Sequence, residues 1–146
     1  MNKYQNLPEL FFSKSKENLK NQHLLKINNN TNQIESWTWS NTYSSVNKIY
    51  QFIISQNLEK NERILLVSEN RPEWMAADIA IMSNQLIAVP NYITYTSRDF
   101  EHILNDSKPK GLIVSNKTLL DIVLIASKKI NFEIQFIICF DQHSCF

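Results

Sequence analysis

A chain of 146 residues with 43% hydrophobic and 20% charged residues has the composition of a single globular domain, not of a disordered or fibrous chain. Fifteen Lys and Arg against fourteen Asp and Glu leave a net charge of +1, too balanced for a protein whose affinity comes from neutralising many phosphates, which excludes bulk nucleic-acid binding. Gly111 is the sole glycine where average usage would give about ten, so neither a G-x-G-x-x-G fingerprint nor a P-loop can be written and any handling of ATP must rest on other machinery.

The N-terminal stretch has only a short apolar segment, interrupted by Glu9, and no later run approaches the length of about 18 residues that spans a bilayer. Cys139 and Cys145 stand six apart at the far end, neither a disulfide framework nor a C-x-x-C redox pair. Both features fit a cytoplasmic, reducing location without a membrane span.

Pro8 sits where the first turn of a helix tolerates proline, and Leu10, Phe11 and Phe12 supply one apolar side before the Lys- and Glu-rich stretch to Lys20, which predicts a short amphipathic helix. HLLKI (23–27) and IESWTW (34–39) flank a polar segment and read as a hairpin. Ser40 is placed to cap a helix in which Val46, Ile49, Tyr50, Ile53 and Ile54 recur at helical spacing as far as Gln56, with Asn57 ending it. RILLV (63–67) is a continuous apolar run, Pro72 opens a helix to about Ser83, and LIAVP (86–90) is a second run, together one βαβ unit. Thr96 with Asp99 makes a capping-box start for a helix over 97–107; a strand over 111–115, a helix over 116–129 and a strand over 133–140 follow. Continuously apolar strands alternating with helices define an α/β fold: a partial doubly wound, mostly parallel sheet with helices on both faces and right-handed crossovers, plus an N-terminal helix and β-hairpin.

SENRPEW (68–74), AADIAIM (76–82), AVPNYITYT (88–96) and HILNDSKPK (102–110), with Trp37-Thr38-Trp39 and EKNERILLVSE (59–69) upstream, occur in register with one another. The set resembles the N-terminal part of AMP-forming acyl-CoA synthetases over about residues 7–141, with the strongest likeness to long-chain fatty acid CoA ligases. The resemblance implies that 1–146 is the N-terminal portion of an AMP-binding, adenylate-forming domain. It implies attack of a carboxylate on the ATP α-phosphate, departure of pyrophosphate, an acyl-AMP, and displacement of AMP by the CoA thiol, with Mg²⁺ as companion. In that family the reacting groups sit in a Ser/Thr/Gly-rich loop ending in lysine, in adenine and ribose motifs, and in a mobile C-terminal lid carrying another lysine. The chain stops before the first of these, so no catalytic, cofactor-binding or metal residue is assigned, and ATP, Mg²⁺ and CoA are not expected to bind this chain alone. Fatty acid and CoA are the partners implied for the full-length enzyme, in the cytoplasm or at a membrane periphery. At three turns where the family carries glycine this chain has Asn57, Asn61 and Asn84-Gln85. Asn is the non-glycine residue that best tolerates a left-handed backbone; Gln85 has no such tolerance if its position needs a positive φ.

Several residues admit both a functional and a structural reading. SENRPEW lies at the carboxyl end of a strand, where open α/β sheets bind ligands, yet Pro72, Glu73 and Trp74 also make a good helix start. Arg71 either reaches an anion or pairs with a neighbouring carboxylate. Tyr92, Thr94, Tyr95 and Thr96 offer hydroxyls to a substrate or CoA channel, or serve core packing and a helix cap. Asp78, inside an apolar helix, is a functional carboxylate or a group that caps or pairs at a layer boundary. Cys139, His143 and Cys145 provide three ligands where structural zinc takes four, which favours a buried Cys139 and a loose tail. His102 beside Glu101 reads as a surface residue, and Leu119, Leu120, Val123 and Leu124 as a core stripe. Two functional classes follow: the N-terminal portion of a ligase, inactive alone and prone to associate through the apolar edge of its last strand, or a non-catalytic α/β binding or scaffold module, such as one half of a split enzyme whose partner is the C-terminal portion.

Overall fold

The computed structural model describes residues 3–27 and 31–141, so residues 28–30 of the predicted turn lie outside the described residues. Helix α1 (Leu7–Asn18) starts at Asn6, whose side-chain oxygen accepts from the Glu9 N–H at 2.9 Å, with Pro8 in the first turn as expected. Its buried residues are Phe11 and Ser15, and the Ser15 hydroxyl donates to the Phe11 carbonyl. Strands β1 (Gln22–Ile27) and β2 (Ile34–Thr38) form the antiparallel hairpin, with Ile27 opposite Ile34.

The predicted strand to Trp39 and the predicted cap at Ser40 are both corrected. Thr38 is the cap, and helix α2 (Trp39–Ser55) begins one residue later. The Thr38 hydroxyl oxygen accepts from the Asn41 N–H at 3.2 Å while the Asn41 side chain accepts from the Thr38 N–H at 2.8 Å. This reciprocal pair satisfies two orphan donors at once, which a cap at Ser40 would not do. Starting the helix at Trp39 also lays its indole on the His23 ring, with centroids 3.6 Å apart. His23 Nδ1 lies 3.0 Å from the hydroxyl of buried Thr42, which also stands 3.3 Å from the Thr38 carbonyl. Burial lowers the pKa of this imidazole and keeps it neutral near pH 7.

Four parallel strands, β3 (Arg63–Val67), β4 (Ile87–Asn91), β5 (Gly111–Val114) and β6 (Phe136–Cys139), lie in the order β4-β3-β5-β6. Alternation along β3 divides the core. Ile64 and Leu66 pack with Ile53 of α2 and with Ala77 and Ile81 of α3 (Pro72–Ser83). Leu65 and Val67 pack on the other face with Phe100 and Leu104 of α4 (Ser97–Ser107) and with Leu119 and Val123 of α5 (Lys117–Ser127). The winding therefore reverses between β3 and β5, as in doubly wound sheets. A further layer forms where Phe11 and Val46 meet Ala76, Ile79 and Ala80, which explains why α3 is apolar nearly all round: it is covered by the sheet on one side and by α1 and α2 on the other.

The last strand is shorter than predicted. Its partner β5 has only four residues, pairing Gly111 with Phe136 through to Val114 with Cys139, so Glu133 and Ile134 lie before the ladder and Gln135 meets it only through its N–H, which donates to the Lys110 carbonyl at 2.8 Å. Gly111 is used for space and not for φ: a Cβ there would collide with the Phe136 ring. The left-handed positions are instead held by Asn32, Asn57, Asn61, Gln85 and Lys108.

Candidate site at the carboxyl edge of the sheet

The carboxyl ends of β3, β4, β5 and β6 open onto the reversal point of the winding, where open α/β sheets place their ligand crevices. The edge is polar where the strands stop. Ser68 and Ser115 are buried, each following a strand whose residues are completely buried at its end. Asn116 caps α5 by accepting from the Leu119 N–H at 3.0 Å, and its amide donates to the Ser115 hydroxyl oxygen at 3.2 Å. The Ser115 hydroxyl in turn donates to Glu69 across the β3–β5 boundary.

Arg71 organises the rest. Its side chain is 7% exposed, and it faces three carboxylates: Glu73, whose two oxygens it holds at 2.9 and 3.0 Å, Asp141 at 2.9 Å and Glu69 at 3.4 Å. The guanidinium also stands 5.6 Å from the centre of the Phe140 ring. Hydrogen bonds donated to Glu73, ahead of the opposing effect of burial, raise the Arg71 pKa beyond its usual range. Burial pushes the Glu73 carboxyl up, but the Arg71 bonds, a backbone bond and nearby positive charge outweigh it and hold the group below its ordinary value. Of the two readings of Arg71, the carboxylate-paired one holds: the cation is fully engaged by the protein.

Beside this clamp lies a cavity of about 500 Å³, lined by Ser68, Glu69, Asn70 and Trp74 from the β3 side and by residues 90–93 from the β4 side. The four hydroxyl residues of the β4–α4 connection divide their roles. Tyr95 is half-buried in the core against Phe100, with ring centroids 6.0 Å apart. Thr96 caps α4 reciprocally with Asp99, which holds the Asp99 carboxyl below its ordinary value. Tyr92 and Thr94 are exposed, Tyr92 to 71%, and of these Tyr92 borders the cavity.

Other predicted residues fall elsewhere. Asp78 is half-buried on α3 and, against expectation, neither caps nor pairs: it has no hydrogen bond or ion pair among the described residues, and burial pushes its pKa up. It lies on a helix packed by the sheet on one side and by α1 and α2 on the other. His102 is exposed on α4. Cys139 is buried and not in a disulfide, while His143 and Cys145 lie outside the described residues. Among the described residues no group of three or more His, Cys, Asp or Glu is placed to hold a metal ion, and no helix is long and apolar enough to cross a membrane. Sequence reading missed Ser115, Asn116 and Asp141 as parts of one site. Their only signal was polar residues directly after predicted parallel strands.

The fold is that of the N-terminal part of adenylate-forming enzymes. Its structure matches VinN with a TM-score of 0.79 at 14% identity, covering 95% of this chain and 33% of that one. It matches an anthranilate CoA ligase, AuaEII, equally well at 15% identity, covering 95% of this chain and 25% of the other. The model of the family described as AMP-binding enzyme matches residues 15–144, and the chain belongs to that family. Among curated relatives, fatty acyl-CoA synthetase A of Dictyostelium discoideum is 33% identical over 73 residues, which is 50% of this chain and 11% of that protein. The chain thus spans about a tenth of that relative's length.

For ATP and Mg²⁺ the described residues are a poor fit. The one buried cation at the carboxyl edge is consumed by carboxylates, and the sole glycine is packed beneath Phe136 instead of opening a phosphate-binding turn.

Proposed function

We propose that the chain is the N-terminal portion of an AMP-forming acid–CoA ligase that acts on fatty acids, long-chain ones in particular, converting acid, ATP and CoA into acyl-CoA, AMP and pyrophosphate. The observation that carries the reading is the family match over 15–144 coinciding with a parallel sheet of order β4-β3-β5-β6. The fatty acyl-CoA synthetase relative supports the substrate class. In this reading the chain supplies the first strands of the large domain's sheet and, through the loops at 68–71 and 91–96, one wall of the passage used by substrate or CoA. In this reading the chain does not itself supply the cationic and backbone groups that bind the departing pyrophosphate.

The 146-residue chain alone is therefore inactive. Purified chain given ATP, Mg²⁺, CoA and a long-chain fatty acid forms no acyl-CoA above a blank, and clear turnover would refute this. Co-expression with the C-terminal remainder of a fatty acyl-CoA synthetase, carrying the Ser/Thr/Gly loop and the lid, restores acyl-CoA formation. Association without any activity would instead mark the chain as a scaffold module.

A further inference from the structure

The polar face of α2 and the strand before it enclose a second cleft, which shares no residue with the cavity at the carboxyl edge. Asn41, Ser44, Ser45 and Lys48 recur at i, i+3, i+4 and i+7 and so line one side of α2, turned away from the side that buries Val46 and Ile53. Strand β2 supplies the facing wall with Glu35 and Trp37. The volume, about 300 Å³, stands at the lower end of the roughly 300–1,000 Å³ of small-molecule sites. Many of the polar groups here are unspent. Ser15, Ser83 and Ser107 donate their hydroxyls to carbonyls four residues back in their own helices, but Ser44 and Ser45 do not, and among the described residues neither serine nor Lys48 has a hydrogen-bond or ion-pair partner. The Asn41 side chain spends its oxygen on the Thr38 N–H at 2.8 Å, which leaves its NH₂ group as a donor. Trp37 donates its indole N–H to one Glu35 carboxylate oxygen at 2.9 Å, an arrangement that orients the half-buried ring and leaves the other oxygen as an acceptor. This combination selects among ligands. The Glu35 carboxylate offsets the Lys48 ammonium, so the cleft has no net charge to recruit an anion. A purely aromatic or aliphatic ligand would leave the hydroxyls, the amide and the carboxylate without partners. A sugar ring meets both needs: each of its hydroxyls donates and accepts, and its C–H face is apolar enough to lie on an indole.

We propose that the cleft between β2 and the polar face of α2 is a binding site for a neutral hexopyranose ring. The C–H face of the ring lies on Trp37, its hydroxyls donate to Glu35 and accept from Asn41 and Lys48, and Ser44 and Ser45, able to act either way, complete the set. A free sugar and the terminal unit of a glycan present this same chemistry. The site stands apart from the carboxyl edge of the sheet and does not depend on the ligase reading.

Saturation-transfer NMR of the 146-residue chain tests it, with glucose, galactose and mannose, their methyl glycosides, glucose 6-phosphate and inorganic phosphate as probes. Expected is saturable binding of at least one neutral sugar that does not weaken between low and high salt, with the strongest transfer to the ring C–H protons. Trp37→Ala should abolish it. Because that change also touches the packing of the hairpin, Glu35→Gln and Lys48→Ala are the decisive variants: both positions are exposed, so the fold is kept, which far-UV circular dichroism checks, and each should weaken binding about three- to tenfold. Tighter binding of a methyl glycoside than of its free hexose supports a glycan terminus as the source of the ring, and the reverse order supports a free sugar. Binding of phosphate or glucose 6-phosphate in place of the neutral sugars, binding indifferent to Glu35→Gln and Lys48→Ala, or no saturable binding of any sugar would overturn the proposal and leave the ligase reading untouched.

Discussion

Gln85 holds a φ of 58° and Lys108 a φ of 45°, conformations that L-residues with a Cβ adopt at a cost. Both are kept in place by their surroundings. The Gln85 carbonyl accepts from the N–H of Asn61 at 2.9 Å, so two left-handed turns brace each other where β3 and β4 begin, and the Lys108 N–H closes α4 onto the Leu104 carbonyl at 2.8 Å. Glycine would relieve the strain but enlarge the freedom of the unfolded chain, so the gain is a difference of two terms. Gln85→Gly and Lys108→Gly should each stabilise by about 0.5–1 kcal/mol, raising the thermal midpoint by about 2–4 °C. Asn57→Gly, at φ 53°, should gain less because asparagine already tolerates this backbone. Thermal unfolding followed by circular dichroism ranks the three; an equal gain at Asn57 would count against the argument.

At the scale of elements, the Arg71 clamp ties the entrance of α3 to the exits of β3 and β6. Helix α3 has no side-chain cap at Arg71, so Pro72 and the Glu73 carboxylate in its first turn carry that end. Removing the guanidinium leaves several carboxylates without their cation. Breaking a buried pair costs about 3–5 kcal/mol, but Glu69 and Asp141 are 41% and 49% exposed and regain solvent, so Arg71→Met should cost about 2–3 kcal/mol at pH 7. The pH dependence has a definite sign. Glu73 is held below its ordinary 4.5, so its contribution is complete above that value and disappears as pH falls through the lower, folded-state pKa. Asp78 behaves oppositely. Burial raises it above 3.8, so its contribution is complete below that pH and is lost as pH rises through the folded pKa, and Asp78→Asn should stabilise at pH 7. Urea unfolding at pH 7 and near pH 3 separates the two: the Arg71→Met deficit shrinks in acid, and so does the Asp78→Asn gain. A deficit independent of pH would mean that Arg71 acts through packing alone.

For the whole molecule the two sheet edges differ. The β4 edge carries Pro90, which cannot extend a ladder, whereas β6 offers four uncharged residues, Phe136–Cys139, with Ile137 37% exposed and Phe52 of α2 39% exposed nearby against Phe136. The purified chain should therefore associate as concentration rises, and Ile137→Lys should reduce that association without lowering the thermal midpoint. Sedimentation velocity over a concentration series measures it; unchanged association in the variant would move the contact away from β6.

Much of this architecture was legible beforehand. Apolar runs such as RILLV required burial on both faces, strands and helices alternated, and Pro8 and the Thr96–Asp99 pair marked two helix starts, whereas the caps at Asn6 and Asn116 went unread, Asn116 being taken as the first residue of the helix it caps. The cap at Thr38 was misplaced by two residues because Ser40 satisfies the same local rule, and only the paired Asn41 decides between them. Alternation and capping are local, so the amino-acid order alone determined them, along with the absence of any glycine-built phosphate cradle. Which strand lies beside which is not local. Placing β3 between β4 and β5 brings Glu69 to Ser115, 46 positions away, and Arg71 to Asp141 beyond β6. Hydrophobic periodicity reports that a residue is buried but carries no record of its neighbour across the sheet. The carboxyl-edge cavity, its clamp and its charge were therefore decided by the tertiary structure.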